Sequence, residues 1–97
     1  MTDVSHPITA VHIIVHGYVQ GVGFRSFVQM QALPLEISGW VRNCADGTVE
    51  IWAEGPRNKL ERLAQQVQKG PRHGSVDRLD IDWQQPKNLL HGFHIRW

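Results

Sequence analysis

The glycine-rich segment from His16 to Arg25 constrains the fold of this chain more than any other, because it joins two apolar patterns of different period. Before it, apolar residues alternate with a period of two, which predicts a β-strand over 10–16. After it, apolar residues recur at helical spacing and predict a helix over 24–33, which Pro34 should end. The segment therefore predicts a strand, a tight turn and a helix in direct succession.

The same segment indicates a binding site for a small anion. Glycines at 17, 21 and 23 let the backbone curl with positive φ, and a curled turn at a helix N-terminus points its N–H groups at an anion. Arg25 would lie in the first helical turn, where its planar guanidinium can pair with two phosphate oxygens. On these residues alone, a turn that merely connects a strand to a helix remains the alternative. Neither a Walker loop nor a dinucleotide fingerprint matches, since Gly-Lys-Ser/Thr and a suitably spaced acidic residue are both missing.

Apolar patterns and turn residues predict the other elements. In chain order they are a strand over 37–43, a hairpin turn at Asp46-Gly47, a strand over 48–54, a helix opened by Gly55-Pro56 and closed by Gly70-Pro71, a strand over 75–83, a loop over 84–90 and a strand over 92–97. Pro56 is expected at the first helical position, and a bulge near Asp77-Arg78 would correct the phase of its strand.

This element order predicts an α+β fold of the ferredoxin-like, split βαβ type: βαββαβ plus a C-terminal strand. Two helices should pack on one face of a mainly antiparallel sheet. The last strand should turn Phe93, Ile95 and Trp97 inward. The face opposite the helices should be more exposed, which suits the side chains of His12, Glu50, Trp52 and Asp80.

Length and composition predict one domain over 10–97, preceded by a flexible tail over 1–9. The 97 residues are 41% hydrophobic, which supports a single modest core. No apolar run approaches the roughly 20 residues of a membrane span, and no signal peptide is visible. Cys44 is the only cysteine, which fits a reducing, cytoplasmic compartment. A net charge of +1, with both signs dispersed, gives no indication of a nucleic-acid or membrane-surface protein, and no cysteine–histidine pattern indicates zinc.

Asn43 is a second candidate site residue, at the end of a predicted strand and close to the hairpin turn. Its amide offers two donors and an acceptor and could hold a water in a fixed orientation without becoming charged. Shaping the loop is the alternative role, and it is the common one for asparagine near a turn.

Two segments resemble the signatures of the acylphosphatase family. The segment Val15–Arg25 is similar to the first signature, and Gly39–Asn43, continuing through Asp46–Val49 to Gly55, is similar to the second. The spacing between the two signatures and the element order fit as well. The resemblance covers about Val11 to Trp97, and two long motifs on one domain are far more specific than a glycine run alone.

The resemblance implies hydrolysis of the carboxyl–phosphate bond of small acyl phosphates to a carboxylate and inorganic phosphate. In that family the arginine matching Arg25 binds the phosphoryl group with the backbone amides of its loop, and the asparagine matching Asn43 orients the attacking water. The loop positions are Gln20, Gly21, Val22, Gly23, Phe24 and Arg25. No metal, no cofactor and no covalent phosphoenzyme are implied. Inorganic phosphate or sulfate is expected to bind as a product-like ligand. The protein is expected to be a monomer, with no nucleic-acid or membrane partner.

Some residues depart from the family pattern or invite other roles. Pro34 lies where the first helix normally ends, and Glu36 replaces a usual glycine cap, so this end of the helix should be shorter or differently capped. Cys44 could be a reactive thiol, although no cationic neighbour in the sequence supports a lowered pKa, and an inert loop residue is the simpler interpretation. His16 is expected on a strand, at the edge of the anion-binding turn.

Two other functions remain as alternatives. An RNA-binding domain can share this element order, but it needs exposed stacking aromatics on its central strands, and Trp52 is the one candidate. The other is an anion-binding module without turnover, like the acylphosphatase-like N-terminal domain of hydrogenase-maturation carbamoyltransferases. Because the chain ends at Trp97, without zinc-finger cysteines, a free-standing enzyme is expected.

Overall fold

Residues 7–88 and 91–97 are described by a computed structural model, in which they form five strands and two α-helices. The elements are β1 (Ile8–Tyr18), α1 (Phe24–Ala32), a 3-10 turn (Leu33–Leu35), β2 (Ser38–Asn43), β3 (Val49–Pro56), α2 (Arg57–Lys69), β4 (Ser75–Gln84) and β5 (Phe93–Arg96). Part of the predicted tail, 1–6, and part of the predicted loop, 89–90, lie outside the described residues.

The sheet has the strand order β4-β1-β3-β2-β5, and every neighbouring pair is antiparallel except β2 and β5, which are parallel. Both helices pack on this sheet, so the predicted α+β, ferredoxin-like fold is confirmed. The core combines the alternating residues of β1 and β3 with one stripe of each helix. Its largest fully buried side chains are Phe24, Ile13, Ile51, Leu60, Leu63, Val11, Val15, Val19, Val28, Val41, Val49 and Val67.

Several element ends differ from the predictions by one or two residues. The first strand already includes Ile8 and Thr9, which pair with the end of β3. Pro34 falls inside the 3-10 turn, so α1 ends just before it. Pro56 ends β3 and caps α2 rather than occupying its first turn. The predicted bulge is present, because Asp77 is the extra residue where the β1–β4 register shifts.

Glu36 follows the 3-10 turn in the left-handed conformation, with φ 57° and ψ 34°. Its backbone N–H closes the turn on the carbonyl oxygen of Leu33, at 3.1 Å. The chain therefore uses the backbone geometry of a glycine cap with a residue that adopts it at a cost of about 1–2 kcal/mol.

The open face of the sheet, which is the face opposite the helices, is more covered than the sequence predicts. The expectation that Trp52 is exposed is wrong. Trp52 is 8% exposed and Glu54 is 4% exposed. The Glu54 carboxylate accepts hydrogen bonds from the indole Nε1 of Trp52 at 2.8 Å and from the backbone N–H groups of Lys87 and Asn88 at 2.9 and 3.0 Å. The segment that follows β4 is thereby fastened over this end of β3, a long-range contact that strand periodicity does not reveal.

Glu54→Gln should destabilise the fold by about 1–3 kcal/mol near neutral pH. The glutamine amide replaces one carboxylate oxygen by an N–H₂ group, which cannot accept the hydrogen bonds that this oxygen accepts. Burial raises the pKa of Glu54, but its hydrogen bonds outweigh burial and hold the pKa below its ordinary value. A depressed carboxyl pKa contributes stability above the unfolded pKa, and that contribution is lost as pH falls through the folded pKa.

Urea unfolding at neutral pH and at about pH 3 measures this. The stability gap between the original protein and the Glu54→Gln variant should narrow at the lower pH. Glu61→Gln changes an exposed carboxylate on α2 and is the control, expected to alter stability little. A gap that stayed constant between the two pH values would contradict the role assigned to the Glu54 carboxylate.

Candidate active site

The turn between β1 and α1 has the backbone expected of an anion-binding loop. Gly21 and Gly23 have φ of 74° and 76°, and a Cβ added at either would meet no atom within 4 Å. Glycine is therefore favoured there by backbone conformation and not by space. Gly23 caps α1, and its carbonyl oxygen accepts the first helical hydrogen bond, from the N–H of Phe27 at 3.0 Å. The N–H groups of the three residues between Gly23 and Phe27, namely Phe24, Arg25 and Ser26, have no acceptor within the helix.

A cavity of about 110 Å³ opens at this helix N-terminus. It brings the predicted site residues Gly21, Gly23, Phe24 and Arg25 together with Asn43, the last residue of β2. The remaining lining residues are Val19, Ser26, Ile95 and Trp97. The ring of Phe24 belongs to the core, where it is 2% exposed, so this residue offers the cavity its backbone. Backbone amides without an acceptor in the helix, an arginine and an asparagine thus belong to residues that line one small polar recess, which suits an oxyanion.

Gln20 and Val22 belong to the loop but do not line the cavity. Val22 is partly buried against the core. The side-chain amide of Gln20 donates hydrogen bonds to the carbonyl oxygens of Cys44 and Thr48, both at 2.8 Å. Because these two carbonyls belong to the β2–β3 connection, Gln20 ties the anion-binding loop to the hairpin that carries Asn43.

The hairpin itself is held by Asp46. Its Oδ1 accepts hydrogen bonds from the hydroxyl and the backbone N–H of Thr48, at 2.6 and 3.0 Å. These bonds hold the pKa of Asp46 below its ordinary value. A second tie runs from the N–H of Cys44 to the carbonyl oxygen of Thr48, at 2.9 Å. The position of Asn43 is therefore set on one side by the sheet and on the other by a closed turn.

The last strand contributes residues that sequence analysis did not assign to the site. The predicted inward orientation of Trp97 is wrong, since it is 92% exposed and lies beyond the end of β5, where strand alternation no longer applies. Its ring centroid is 4.0 Å from the Cζ of Arg25, and an Nη of Arg25 is 3.4 Å from the carbonyl oxygen of Arg96. Ser26 was also missed, although its place next to Arg25 in the first helical turn could have indicated it.

Two residues considered for the site lie outside the cavity. His16 is not among the residues that line it, and its Nε2 lies 2.8 Å from Oδ2 of Asp80 on the neighbouring strand. The Sγ of Cys44 is 3.9 Å from Oε1 of Glu50, which is an acidic neighbour. Burial raises the pKa of Glu50, but hydrogen bonds from His12 and Arg42 outweigh burial and lower it. This charged cluster on the open face is separate from the cavity.

Neither a membrane-spanning helix nor a metal-binding cluster is found in what the structure covers. None of the helices in residues 7–88 and 91–97 is long and apolar enough to cross a membrane. Across the same ranges, no group of three or more His, Cys, Asp or Glu side chains is arranged to hold a metal ion.

The chain matches known proteins over most of its length. The family model for acylphosphatase matches residues 11–95. An acylphosphatase from Salinibacter ruber is 46% identical over 80 residues, which cover 82% of this chain and 84% of that protein. The crystal structure of acylphosphatase from Bacillus subtilis superposes with a TM-score of 0.88 at 42% identity, over 92% of this chain and 99% of that one.

A larger protein contains a similar domain. Full-length HypF, solved in a phosphate- and nucleotide-bound form, superposes with a TM-score of 0.86 at 25% identity. The match covers 99% of this chain but only 13% of HypF. The Salinibacter ruber and Bacillus subtilis proteins are covered over most of their own length and are acylphosphatases, and the family model spans both signature segments. This chain belongs to the acylphosphatase family of enzymes.

Proposed function

We propose that this protein hydrolyses the carboxyl–phosphate bond of small acyl phosphates by direct attack of water on phosphorus. Family membership supports acyl phosphate hydrolysis. The observation that carries the mechanism is the cavity of about 110 Å³ in which Arg25, the loop glycines and Asn43 meet.

In this mechanism the phosphoryl group occupies the recess at the N-terminus of α1. Amides of the loop over 20–25 donate to its oxygens, and the guanidinium of Arg25 pairs with two of them. Charge on these oxygens is stabilised by donors that are already in place before the reaction begins. Gln20 contributes indirectly, because it holds the loop to the hairpin.

Asn43 orients the attacking water. Asn43 lines the same recess, and a carboxamide can accept a hydrogen bond from a water while donating one to a phosphoryl oxygen. The leaving group is a carboxylate, which departs without being protonated, so a strong general acid is unnecessary. Positioning and electrostatic stabilisation therefore carry the rate enhancement, as in phosphoryl transfer generally.

Of the two alternatives, the RNA-binding one loses support and the anion-binding one remains to be tested. The RNA-binding hypothesis needs an exposed aromatic on the central strands, and Trp52 is buried beneath the segment after β4. An anion-binding module without turnover remains the alternative, because HypF contains a similar region as a small part of a larger protein. The experiment below distinguishes it from a hydrolase.

Phosphate release from benzoyl phosphate by the purified protein is the test, with Asn43→Ala beside the original chain. Asn43→Ala should lower kcat by about 10²-fold, because a water misplaced by an ångström reacts poorly. Competitive inhibition by inorganic phosphate should persist, since the phosphoryl-holding groups remain. Asn58→Ala, an exposed position in α2, is the matched control and should keep full activity. Phosphate binding without any turnover by the original protein would favour the binding module instead.

A further inference from the structure

Trp97 has an unusual position for an exposed aromatic residue. It lines the cavity, is 92% exposed, and stacks its ring 4.0 Å from the Cζ of Arg25. One side of the indole therefore rests on the proposed phosphoryl-binding cation, and the remaining surface faces solvent at the mouth of the cavity.

The cavity is large enough for the phosphoryl group of an acyl phosphate but too small to enclose the acyl group as well. Its volume of about 110 Å³ is well below the roughly 300–1,000 Å³ of sites that enclose a whole drug-sized ligand. A phosphoryl group held among the loop amides fills most of such a recess. The acyl group must then extend out of the recess, toward the lining residues that are exposed to solvent.

Trp97 supplies the exposed apolar surface at that mouth. Of the other apolar lining residues, Val19 and Phe24 are 1% and 2% exposed and belong to the core, and Ile95 is partly buried against it. A planar acyl group that leaves the recess beside Arg25 therefore meets the indole of Trp97. Aromatic rings gain from offset or edge-to-face contact with an indole, whereas an acetyl group offers it one methyl.

We propose that Trp97 is a specificity-determining residue that makes the site prefer acyl phosphates with an aromatic acyl group. This inference rests on the proposed function. Trp97 contacts the acyl group while the phosphoryl group is held by the loop and Arg25, so the residue discriminates between substrates that share the same phosphoryl chemistry. A residue that acted only by orienting Arg25 would affect all acyl phosphates equally.

The test is the ratio of kcat/KM for benzoyl phosphate to kcat/KM for acetyl phosphate. Trp97→Ala should lower this ratio by about threefold to tenfold, and Trp97→Phe should restore most of it. Trp83→Ala is the matched control, because Trp83 also stacks on an arginine, Arg57, at 4.0 Å but lies outside the cavity. That variant should keep the ratio. A ratio unchanged in Trp97→Ala overturns the proposal, even if both rates fall.

A binding measurement separates this proposal from the proposed function. Calorimetric titration with benzylphosphonate and methylphosphonate needs no turnover. The original protein should bind the benzyl compound more tightly, and Trp97→Ala should remove that advantage. If no acyl phosphate is hydrolysed but this difference is found, the hydrolase proposal fails and the aromatic subsite stands. Equal binding of the two phosphonates by the original protein overturns the subsite.

Discussion

Arg25→Ala should lower kcat/KM for benzoyl phosphate by at least about 10²–10³-fold, the loss typical of removing one preorganised donor from a developing oxyanion. Arg25 lies in the first turn of α1 and lines the same cavity as Asn43, and it is the one arginine among the described residues that line this cavity. An arginine at this position can neutralise part of the charge of a phosphoryl dianion and pair with two of its oxygens.

Arg25→Lys should also be severely impaired. Lysine keeps the charge but presents a single ammonium, which cannot reproduce the planar fork that pairs with two oxygens. The conservative change thus tests geometry separately from charge. Inhibition by inorganic phosphate should weaken in both variants, since the product uses the same donors.

Arg57→Ala is the matched control for these variants. Arg57 also stacks on a tryptophan at 4.0 Å, but it begins α2 and is not among the residues that line the cavity. Its replacement should leave turnover close to the original value. Turnover of Arg25→Ala at the original rate would refute the phosphoryl-binding role of this residue and, with it, the proposed mechanism.

Gly39→Ala should destabilise the fold by about 3–5 kcal/mol, enough to leave a small domain largely unfolded or barely stable. Gly39 lies in β2 with φ 155°, and a Cβ there would be 1.9 Å from the carbonyl oxygen of Trp52 and 2.9 Å from the Cα of Ala53. Both clashing atoms belong to the backbone of β3, so relief requires the strands themselves to separate.

Gly47→Ala is the control that separates the cost of a positive φ from the cost of a steric clash. Gly47 has φ 93° in the hairpin turn, and an added Cβ would meet nothing within 4 Å. The control therefore carries the conformational cost alone, about 1–2 kcal/mol. Urea unfolding of both variants should place Gly39→Ala below Gly47→Ala by at least about 2 kcal/mol. Equal stabilities would mean that β2 and β3 yield more easily than their backbone contacts indicate.

Features that depend on neighbours in the chain were predictable. The alternation of Val11, Ile13 and Val15 and the stripe that includes Leu60 and Leu63 are buried as their periods require. The positive φ of the loop glycines and the position of Arg25 in the first helical turn follow from local chemistry as well.

The prediction that Asn43 and Arg25 belong to one site had a different basis. It came from resemblance to the family signatures, because no local pattern brings the end of β2 beside a loop that precedes it by two elements. In the structure, the pairing of β2 with β3 and the hydrogen bonds of Gln20 to the β2–β3 connection accomplish this.

The strands, the helices, the curled loop and the family were predictable from the chain, since each depends on short-range periodicity or on a contiguous motif. The burial of Trp52 and Glu54 and the contact of Trp97 with Arg25 arise only when the chain folds. In each case the environment of a side chain is created by a segment remote in sequence. Strand alternation specifies which way a side chain points, but not what another part of the chain places there.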